Sequence, residues 1–388
     1  MFSSRVPADR RPNRFAEALA AARRAGGLID LTISNPTHAG IPYPPSLLDG
    51  LADPAALDYA PSPFGLRAAR DAVSADYARR GIAIGADRIV LTASTSEAYS
   101  VLFKLLCEPG ASSVLTPAPS YPLFEHLTRL DGVEPRRYAL EYHGTWTVDR
   151  GDLDGAWAAD TRAALTVSPN NPTGAALTTA DADELAARCA AREAALIVDE
   201  VFCDYPLGAA LQDPPALSSG ICLVFRLGGL SKTIGLPQAK LGWIAVQGPE
   251  PLVAEALDRL ELICDTYLSV STPVQIAAPG LLSKGAVIRD SIRARVRDNY
   301  AHLQQTFGGS GGATVLHADG GWSAVIRVPA LRSEEALVLD LLARDRVVVH
   351  PGYFFDFPHE AFLVVSLLAE PAVFSRGLRA IEERIHAA

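Results

Sequence analysis

Short runs of apolar and β-branched residues recur along most of the chain, and each is followed by a polar or Gly/Pro-rich turn. Helical periodicity fills the segments between them, for example residues 66–77 and 178–192. Buried parallel strands have this near-continuous apolar character, and helices cover both faces of such sheets. The pattern therefore predicts a mainly parallel sheet flanked by helices. Its strands are expected at residues 88–92, 113–116, 163–167, 195–198, 221–225 and 241–246.

Toward the C-terminus the pattern changes to strands at residues 323–328, 347–349 and 362–367, followed by a final helix from Pro371. This pattern is typical of a second, α+β domain, and we expect the N-terminal segment to join it. The predicted fold is α/β, with a large domain and a smaller α+β domain built from both ends of the chain. The expected boundaries are 1–45 for the N-terminal segment, 46–280 for the large domain and 281–388 for the small C-terminal domain.

The chain has 388 residues, more than one hydrophobic core normally contains, which agrees with two domains. Its 35 basic and 44 acidic residues give a net charge of −9 without a long block of either sign. We therefore expect neither a nucleic-acid nor a membrane partner. Every apolar run is broken before membrane-spanning length, and residues 1–15 lack the apolar core of a secretory signal, so a cytoplasmic location is expected.

The cysteines are scattered along the chain and odd in number, without close pairs or accompanying histidines. This spacing indicates neither a disulfide framework nor a zinc site, and we expect no metal site. Free cysteine behaves as a small buried apolar residue, so packing is the expected role. The five positions are Cys107, Cys189, Cys203, Cys222 and Cys264.

A lysine follows the predicted strand 221–225, in a segment rich in glycine and hydroxyl side chains. Ser231 and Lys232 lie within this segment, residues 228–233. An amine just past a buried strand can lose part of its hydration and become a usable nucleophile. A lone loop lysine is more often simply solvated, so Lys232 indicates reactivity only together with other groups.

Two other predicted strands also end in polar groups. After residues 163–167 comes a turn, 168–174, stiffened by two prolines, whose Asn171 could aim its amide at a ligand atom. After residues 195–198 comes Asp199, and a buried carboxylate needs a partner because burying an unpaired charge is costly. A protonated ring nitrogen would be such a partner.

Hydroxyl groups follow the predicted strand 88–92. Ser94, Thr95 and Ser96 precede a helical stretch, and hydroxyls with free N–H groups at a helix N-terminus can bind a phosphate. The same residues also serve as an ordinary helix cap. Tyr121 follows the next predicted strand in a loop bounded by prolines, where its ring either stacks on a ligand or simply packs.

Together these residues are far more specific than any one of them. In chain order they are the hydroxyl-rich helix start, Tyr121, Asn171, Asp199, Lys232 and Lys240. Their order and spacing resemble class I/II aminotransferases of pyridoxal 5′-phosphate (PLP) fold type I, of which aspartate aminotransferase is an example. Segments 59–67 and 351–355 also match, so the likeness covers nearly the whole chain.

The resemblance implies PLP as the cofactor, held as an internal aldimine (Schiff base) on Lys232. Once released, the Lys232 amine would move the proton between the substrate Cα and C4′ of the cofactor. Asp199 would pair with the pyridine nitrogen and keep it protonated, which makes the ring an electron sink. Asn171 would hydrogen-bond the phenolic oxygen of the ring, and Tyr121 would stack on the ring face.

The resemblance also implies where the phosphate binds. The groups expected to hold it are Ser94, Thr95, Ser96, Ser231 and Lys240. In the family, the tyrosine that matches Tyr59 reaches the phosphate from the neighbouring subunit, which implies a homodimer with composite sites. A local turn contact is the alternative role for Tyr59.

Three positions near these residues depart from the family pattern. Gly229 stands where a phosphate-binding serine is usual. Lys240 replaces an arginine, so a point charge replaces a bidentate fork and the phosphate should be held less rigidly. Phe202 replaces a tyrosine that donates to the ring oxygen, which should raise the proton affinity of the aldimine.

A fourth departure concerns the substrate. Family members usually carry an arginine in the C-terminal strand that binds the substrate α-carboxylate, and Val364 takes its place here. A valine cannot bind a carboxylate. Either another arginine supplies this contact, with Arg327 as the candidate, or the substrate lacks an α-carboxylate or presents it differently, as an amine or an aldehyde would.

We therefore expect a PLP-dependent aminotransferase with a small-molecule amino donor, an amino acid or small amine, and a keto or aldehyde acceptor. A PLP-dependent lyase, decarboxylase or oxidase remains the alternative, because the motifs do not encode which substrate bond is broken. A PLP-binding regulatory module without turnover is a third interpretation. The presence of Lys232, Asp199 and Asn171 together argues against it.

Overall fold

Strands and helices alternate in the computed structural model, which describes residues 2–309 and 312–387. The strands are β1 (Ile29–Asp30), β2 (Ile89–Thr92), β3 (Ser113–Ala118), β4 (Glu134–Tyr142), β5 (Trp146–Val148), β6 (Thr161–Val167), β7 (Ala195–Asp199), β8 (Val224–Gly229), β9 (Gly242–Gln247), β10 (Thr314–Val315), β11 (Ser323–Arg327), β12 (Val347–Val348), β13 (His350–Pro351) and β14 (Phe362–Ser366). The α-helices are α1 (Arg14–Ala25), α2 (Arg67–Arg79), α3 (Thr95–Leu106), α4 (Leu123–Asp131), α5 (Arg150–Ala156), α6 (Thr179–Ala191), α7 (Leu230–Thr233), α8 (Glu250–Tyr267), α9 (Thr272–Lys284), α10 (Ala286–Thr306), α11 (Glu334–Asp340) and α12 (Pro371–His386). A π-helical turn spans Leu341–Asp345, and 3₁₀ turns span Pro36–His38, Pro45–Ala52, Pro54–Leu57, Ala86–Arg88, Pro215–Ser218, Pro237–Ala239 and Gly352–Phe355.

The large sheet has the strand order β2-β9-β8-β7-β6-β3-β4-β5. Its centre, from β8 to β4, is parallel, whereas β9 is antiparallel to both of its neighbours and β5 is antiparallel to β4. Strands β2, β7 and β8 are buried along their whole length, as strands covered on both faces must be. The predicted α/β class with a mainly parallel sheet is therefore confirmed.

Helices cover both faces of the large sheet. Side chains of α3 and α8, such as Phe103 and Leu260, form one apolar layer with the inner strands. On the other face α6 contributes Leu185 and Cys189. Four of the five cysteines are buried, none is disulfide-bonded, and they pack with apolar neighbours as expected.

A second, antiparallel sheet of order β10-β11-β14-β13 forms from the C-terminal part of the chain. The N-terminal segment contacts it, because β1 pairs in parallel with β12 and the Ser366 amide donates to the Leu31 carbonyl at 2.7 Å. The division at residues 45 and 280 stays a prediction. Among the described residues, no helix is both long enough and apolar enough to span a bilayer.

Each predicted strand overlaps an observed one, with one displaced start. The strand expected from residue 221 begins at Val224, because Gly220 turns with a positive φ of 75° and Ile221 remains about half exposed. Strands β4 and β5 were not expected. Most of β4 is only partly buried and its residues are largely polar, so its sequence lacks the apolar run that marked the central strands.

Candidate active site

Polar side chains meet at the carboxyl ends of three neighbouring parallel strands. Asn171 lies in the turn after β6, Asp199 is the last residue of β7, and Lys232 lies in α7 directly after β8. Ligands of open α/β sheets bind at this edge, where loops and helix ends gather. The parallel order β6-β7-β8 therefore brings together the three residues that sequence analysis selected for the cofactor ring.

Asp199 is buried and hydrogen-bonded on both carboxylate oxygens. Oδ2 accepts from the Tyr99 hydroxyl at 2.8 Å, and Oδ1 accepts from the Val201 amide at 3.1 Å. Burial raises the pKa of Asp199 to about 6, although these hydrogen bonds and the charge of Lys232 act in the opposite direction. Tyr99, on α3, was not selected from the sequence.

The Lys232 side chain is partly buried between aromatic rings. Its Nζ lies 4.8 Å from the ring centroid of Trp322 and 5.7 Å from that of Phe202, and it makes no hydrogen bond or ion pair with the described residues. Burial lowers the pKa of Lys232 to about 8, and the charge of Asp199 only partly opposes this. A larger share of this amine is therefore neutral, and so nucleophilic, near neutral pH.

Two tyrosine hydroxyls hold the backbone around the lysine. The Tyr205 hydroxyl donates to the Lys232 carbonyl, and the Tyr43 hydroxyl donates to the Gly235 carbonyl at 2.7 Å. Burial raises the pKa of Tyr43 to about 12 and that of Tyr205 well above its usual value, so both remain protonated donors. Gly235 has a φ of 64°, and a side chain there would meet the Tyr43 hydroxyl.

The aromatic rings beside Lys232 pack against each other. Trp322 makes edge-on contacts with Phe202 and Tyr205, at centroid distances of 5.4 and 5.1 Å. Because Phe202 and Tyr205 follow β7 while Trp322 precedes β11, this packing joins the large sheet to the small one. Phe202 therefore lies beside the lysine without the hydroxyl that the family resemblance would supply.

The two adjacent asparagines of the turn after β6 have different partners. Asn170 accepts from the Ser120 hydroxyl at 3.1 Å and donates at 2.9 Å to both the Pro119 carbonyl and the Thr173 hydroxyl. The Asn171 Oδ1 is buried without a hydrogen-bond partner among the described residues. Asn170 thus stabilises the turn, while the amide of Asn171 is available to a ligand.

The expected phosphate site lies at the start of α3. Ser94 is the N-cap, and its hydroxyl accepts from the Glu97 amide at 3.1 Å. The amides of Thr95 and Ser96 are in the first turn and have no carbonyl within the helix to bond. A side chain at Gly242 on β9 would lie 2.9 Å from the Ser94 carbonyl carbon, so glycine allows this strand to approach the helix start.

The other residues expected at the cofactor are less fixed. Tyr59 is 75% exposed and Tyr121 is about half exposed. Lys240 is exposed in a left-handed conformation, with a φ of 53°, at the end of the turn Pro237–Ala239. The side chains of these residues and of Ser231 make no hydrogen bond with the described residues, and their roles stay predictions.

Gly229 has little room for the serine that is usual in the family. A Cβ at this position would lie 3.1 Å from the Leu241 carbonyl oxygen and 3.2 Å from the Gly242 Cα. Contacts this short require a backbone shift. Glycine at position 229 therefore allows β8 and β9 to pair this closely.

Val364 belongs to a packed apolar cluster on β14. Its side chain is buried, and its pairing partner on β11 is Val325. Arg327 ends β11 opposite Phe362, and it is exposed without an ion pair to the described residues. The other members of the buried cluster are Trp146, Ala175, Leu316, Phe355 and Phe357.

Glu200, the next residue after Asp199, is in a different environment. Its carboxylate accepts from Arg226 at 2.5 Å and from Arg80 at 2.8 Å, and Arg226 also contacts Asp213 at 2.7 Å. Burial acts to raise the pKa of Glu200, but the two arginines outweigh it and hold the pKa below its usual value. Arg226, in the middle of β8, is completely buried.

The fold and the polar groups at one sheet edge are those of an α/β enzyme that binds a small ligand beyond its strands. The family model for aminotransferases of class I and II matches residues 29–378, and the chain therefore belongs to this family.

Among curated proteins, the chain is 26% identical to alanine aminotransferase of Mycobacterium tuberculosis over 370 residues, 92% of this chain and 84% of that protein. It is 30% identical to nicotianamine aminotransferase B of Hordeum vulgare over 228 residues, 57% of this chain and 41% of that protein. The alignments with the nicotianamine aminotransferases thus cover less than half of those proteins' length.

Solved structures share the fold over almost the whole chain. An aminotransferase from Mycobacterium tuberculosis superposes with a TM-score of 0.85 at 23% identity, covering 100% of both chains. Alanine aminotransferase from Pyrococcus furiosus gives a TM-score of 0.86 at 21% identity, covering 97% of this chain and 100% of that one. At these identities the likeness concerns the fold.

Proposed function

We propose that this protein is a PLP-dependent aminotransferase that holds the cofactor as a Schiff base on Lys232. The observation that carries the proposal is that a partly buried amine and a buried carboxylate lie at the ends of adjacent strands without being bonded to each other. Lys232 has a lowered pKa and no acceptor, and Asp199 has a raised pKa and no cation in hydrogen-bond contact among the described residues. Each group lacks the partner that PLP would provide.

The residues at this edge fit the chemical groups of PLP. Its aldehyde matches the Lys232 amine, and its protonated ring nitrogen matches the Asp199 carboxylate. Its phenolic oxygen would accept a hydrogen bond from Nδ2 of Asn171, because the side-chain amide of this residue makes no hydrogen bond with the described residues. Its phosphate matches the free amides of Thr95 and Ser96 at the start of α3.

When bound, PLP supplies an electron sink for the substrate carbanion. Asp199 keeps the ring nitrogen protonated, and Lys232 accepts and returns the substrate proton through its Nζ. The Tyr205 hydroxyl fixes the peptide that carries this amine. Burial of Nζ, which lies beside Phe202 and Trp322, lowers the pKa of Lys232 and keeps a larger share of the amine neutral.

The substrates are an amino donor and an acceptor of small size, an amino acid or amine and a keto acid or aldehyde. The apolar packing around Val364 supports a substrate whose α-carboxylate, where present, is bound elsewhere. Arg327 is one candidate for that contact. Replacement of Arg327 by alanine should weaken the apparent affinity for an amino acid donor. An unchanged affinity would show that Arg327 does not bind the substrate carboxylate.

The proposal is tested by trapping the cofactor. Borohydride reduction of the PLP-loaded protein, followed by peptide mass spectrometry, should find the cofactor on Lys232. Lys232→Ala should abolish this adduct, whereas Lys284→Ala, at an exposed lysine, should retain it. A wild-type protein without an adduct at Lys232 would refute the proposal.

A second experiment separates transamination from the lyase, decarboxylase and oxidase alternatives. The loaded protein is incubated with a panel of amino donors, and both cofactor and product are analysed by mass spectrometry. An aminotransferase converts the cofactor to its amine form with release of a keto or aldehyde product. A different product with the aldehyde form retained would favour one of the alternatives, and no turnover with any donor would favour a binding module.

We further propose a cytoplasmic homodimer in which Tyr59 reaches the phosphate bound by the partner copy. The exposure of Tyr59, together with that of Leu57 and Tyr267, supports an interface at this surface. Mixing Tyr59→Phe and Lys232→Ala subunits tests it, because only a site shared between copies regains one intact set of residues. We expect the mixture to regain affinity for the cofactor phosphate. If it does not, Tyr59 makes only a local turn contact within its own subunit.

A further inference from the structure

Tyr99 is a buried tyrosine whose hydroxyl is directed at the carboxylate of the candidate site. Its ring packs edge-on against Phe124 at a centroid distance of 5.4 Å and near Phe103 at 6.2 Å. The hydroxyl donates to Asp199 Oδ2 at 2.8 Å. Because apolar neighbours fix the ring, the position of the hydroxyl is set before any ligand binds.

The helix that carries Tyr99 also forms the expected phosphate site. α3 begins at Thr95, and Ser94 caps it, so Tyr99 lies about one helical turn beyond the free amides. A single rigid helix thus provides the phosphate amides at its N-terminus and a contact to the ring-nitrogen carboxylate one turn later. The distance between the two ends of the cofactor site is therefore fixed by one element.

We propose that Tyr99 is a positioning residue that orients Asp199 and keeps it ionised opposite the cofactor ring nitrogen. The inference rests on the proposed function, because it assumes that Asp199 faces PLP. Tyr99 acts through Asp199 and contacts neither substrate nor cofactor in this role. Nothing in the α3 sequence requires a hydroxyl here for packing, because phenylalanine would fill the same space.

The charges around Asp199 explain why this hydroxyl matters. Among the described residues, the titratable groups that influence it are Tyr99 from α3, Glu200 directly after β7 and Lys232 from α7. Arg80 and Arg226 lie behind Glu200 and neutralise it. Burial raises the pKa of Asp199 to about 6, and the hydrogen bond from Tyr99 is the largest of the effects that oppose this rise.

Loss of the Tyr99 hydroxyl should raise the pH at which Asp199 ionises. A carboxyl is ionised above its pKa, so loss of a donor to its charged form moves ionisation to higher pH. Tyr99→Phe should therefore shift the acid limb of cofactor affinity upward by about 1 pH unit, the value expected for one hydrogen bond to a charged group. Attachment to Lys232 at higher pH should persist.

The test uses PLP-loaded protein and the variants Tyr99→Phe and Tyr138→Phe. The control Tyr138 is equally buried, and its hydroxyl donates to the Leu165 carbonyl at 2.9 Å without contacting Asp199. The dissociation constant of PLP and the absorbance of the bound cofactor are measured from about pH 5 to about pH 8, the range that spans the pKa of Asp199. Thermal unfolding of both cofactor-free variants reports the structural cost of losing a tyrosine hydroxyl.

An upward shift in Tyr99→Phe alone supports the inference, whereas identical titrations in both variants and wild type overturn it. Where Tyr99→Phe does not fold, 3-fluorotyrosine at position 99 replaces it, because its more acidic hydroxyl donates more strongly. The acid limb should then move to lower pH, and an unmoved limb again overturns the inference. Wild-type protein that forms no adduct at Lys232 refutes the proposed function itself, a result distinct from a normal adduct with an unshifted Tyr99→Phe titration.

Discussion

Asp199 and Glu200 are consecutive buried carboxylates at the end of β7, yet their surroundings are opposite. Glu200 is neutralised by two arginines of the chain, and its pKa stays below the usual value despite burial. Asp199 receives one hydroxyl and one amide, and burial raises its pKa to about 6. One carboxylate is therefore compensated within the protein, and the other is compensated only in part.

The contrast separates a carboxylate that is neutralised within the chain from one that the proposed cofactor would neutralise. Burying a charge is tolerated where the chain supplies the opposite charge, and removing one partner of such a pair is strongly destabilising. A buried carboxylate held by neutral donors is oriented but retains an unmet attraction for a cation. Asp199 is in this second state, which suits a protonated ring nitrogen.

The largest effect is expected from removing a counter-ion of Glu200. Arg226→Met leaves Glu200 and Asp213 without their shared cation, and a cost of about 3–5 kcal/mol in the free energy of unfolding is expected. Urea unfolding of the cofactor-free protein measures it. Arg88→Met, which removes an exposed pair with Glu250, should cost at most about 1 kcal/mol. Equal losses in the two variants would contradict the comparison.

Neutral replacements of the two carboxylates should act in opposite directions. Burial raises the pKa of Asp199 from its usual 3.8 to about 6, so its ionisation lowers the stability of the fold as pH rises from about 4 to about 6. At neutral pH, Asp199→Asn should therefore stabilise the cofactor-free protein by up to about 3 kcal/mol while weakening PLP binding. Glu200→Gln should destabilise it by about 3 kcal/mol, because Arg80 and Arg226 lose their partner. If urea unfolding gave changes of the same sign in the free energy of unfolding for both variants, the difference between the two carboxylates would be contradicted.

The amine side of the site is expected to titrate near pH 8. Because only neutral Lys232 attacks the cofactor aldehyde, the rate of PLP attachment should rise about tenfold per pH unit and level off above about 8. Asp199→Asn should move the midpoint lower, since the Asp199 charge raises the pKa of Lys232. Stopped-flow absorbance measures the rate, and a midpoint near that of an ordinary lysine would show that burial does not control this amine.

The smallest effect concerns Phe202. Its ring lies 5.7 Å from the Lys232 Nζ, and Phe202→Tyr should add a donor near the ring oxygen of the cofactor. This donor favours the deprotonated form of the lysine-bound cofactor, so the absorbance titration should move to lower pH by less than about 1 unit. An unshifted titration would mean that the new hydroxyl does not reach that oxygen.

The parts of the molecule predicted correctly from sequence are those with a local signal. The buried parallel strands have continuous apolar runs, and the polar residues that follow them stand out against that background. Strand β4 lacks such a signal because its residues are largely polar and only partly buried. Residues 221–223 look like a strand, but Ile221 belongs to an exposed turn.

Residues that depend on distant partners were not predictable in this way. Tyr99 falls among apolar residues of α3, and its acceptor Asp199 is 100 residues further along the chain. Tyr205 contacts the lysine peptide only because β7 and β8 are adjacent. Arg226 interrupts an otherwise apolar strand, and its counter-ions Glu200 and Asp213 come from separate loops.

The pairing of β1 with β12 has a consequence for biosynthesis. The Ser366 hydroxyl donates to the Ile33 carbonyl 333 residues earlier, and β1 has no strand to pair with until Val347 and Val348 of β12 have been made. At ribosomal speeds of about 5–20 residues per second, the N-terminal segment waits between about 15 and about 70 s for its partner. The large sheet can form during translation before residues 347–366 are made, whereas the contacts of the N-terminal segment with β12 and Ser366 must wait for them.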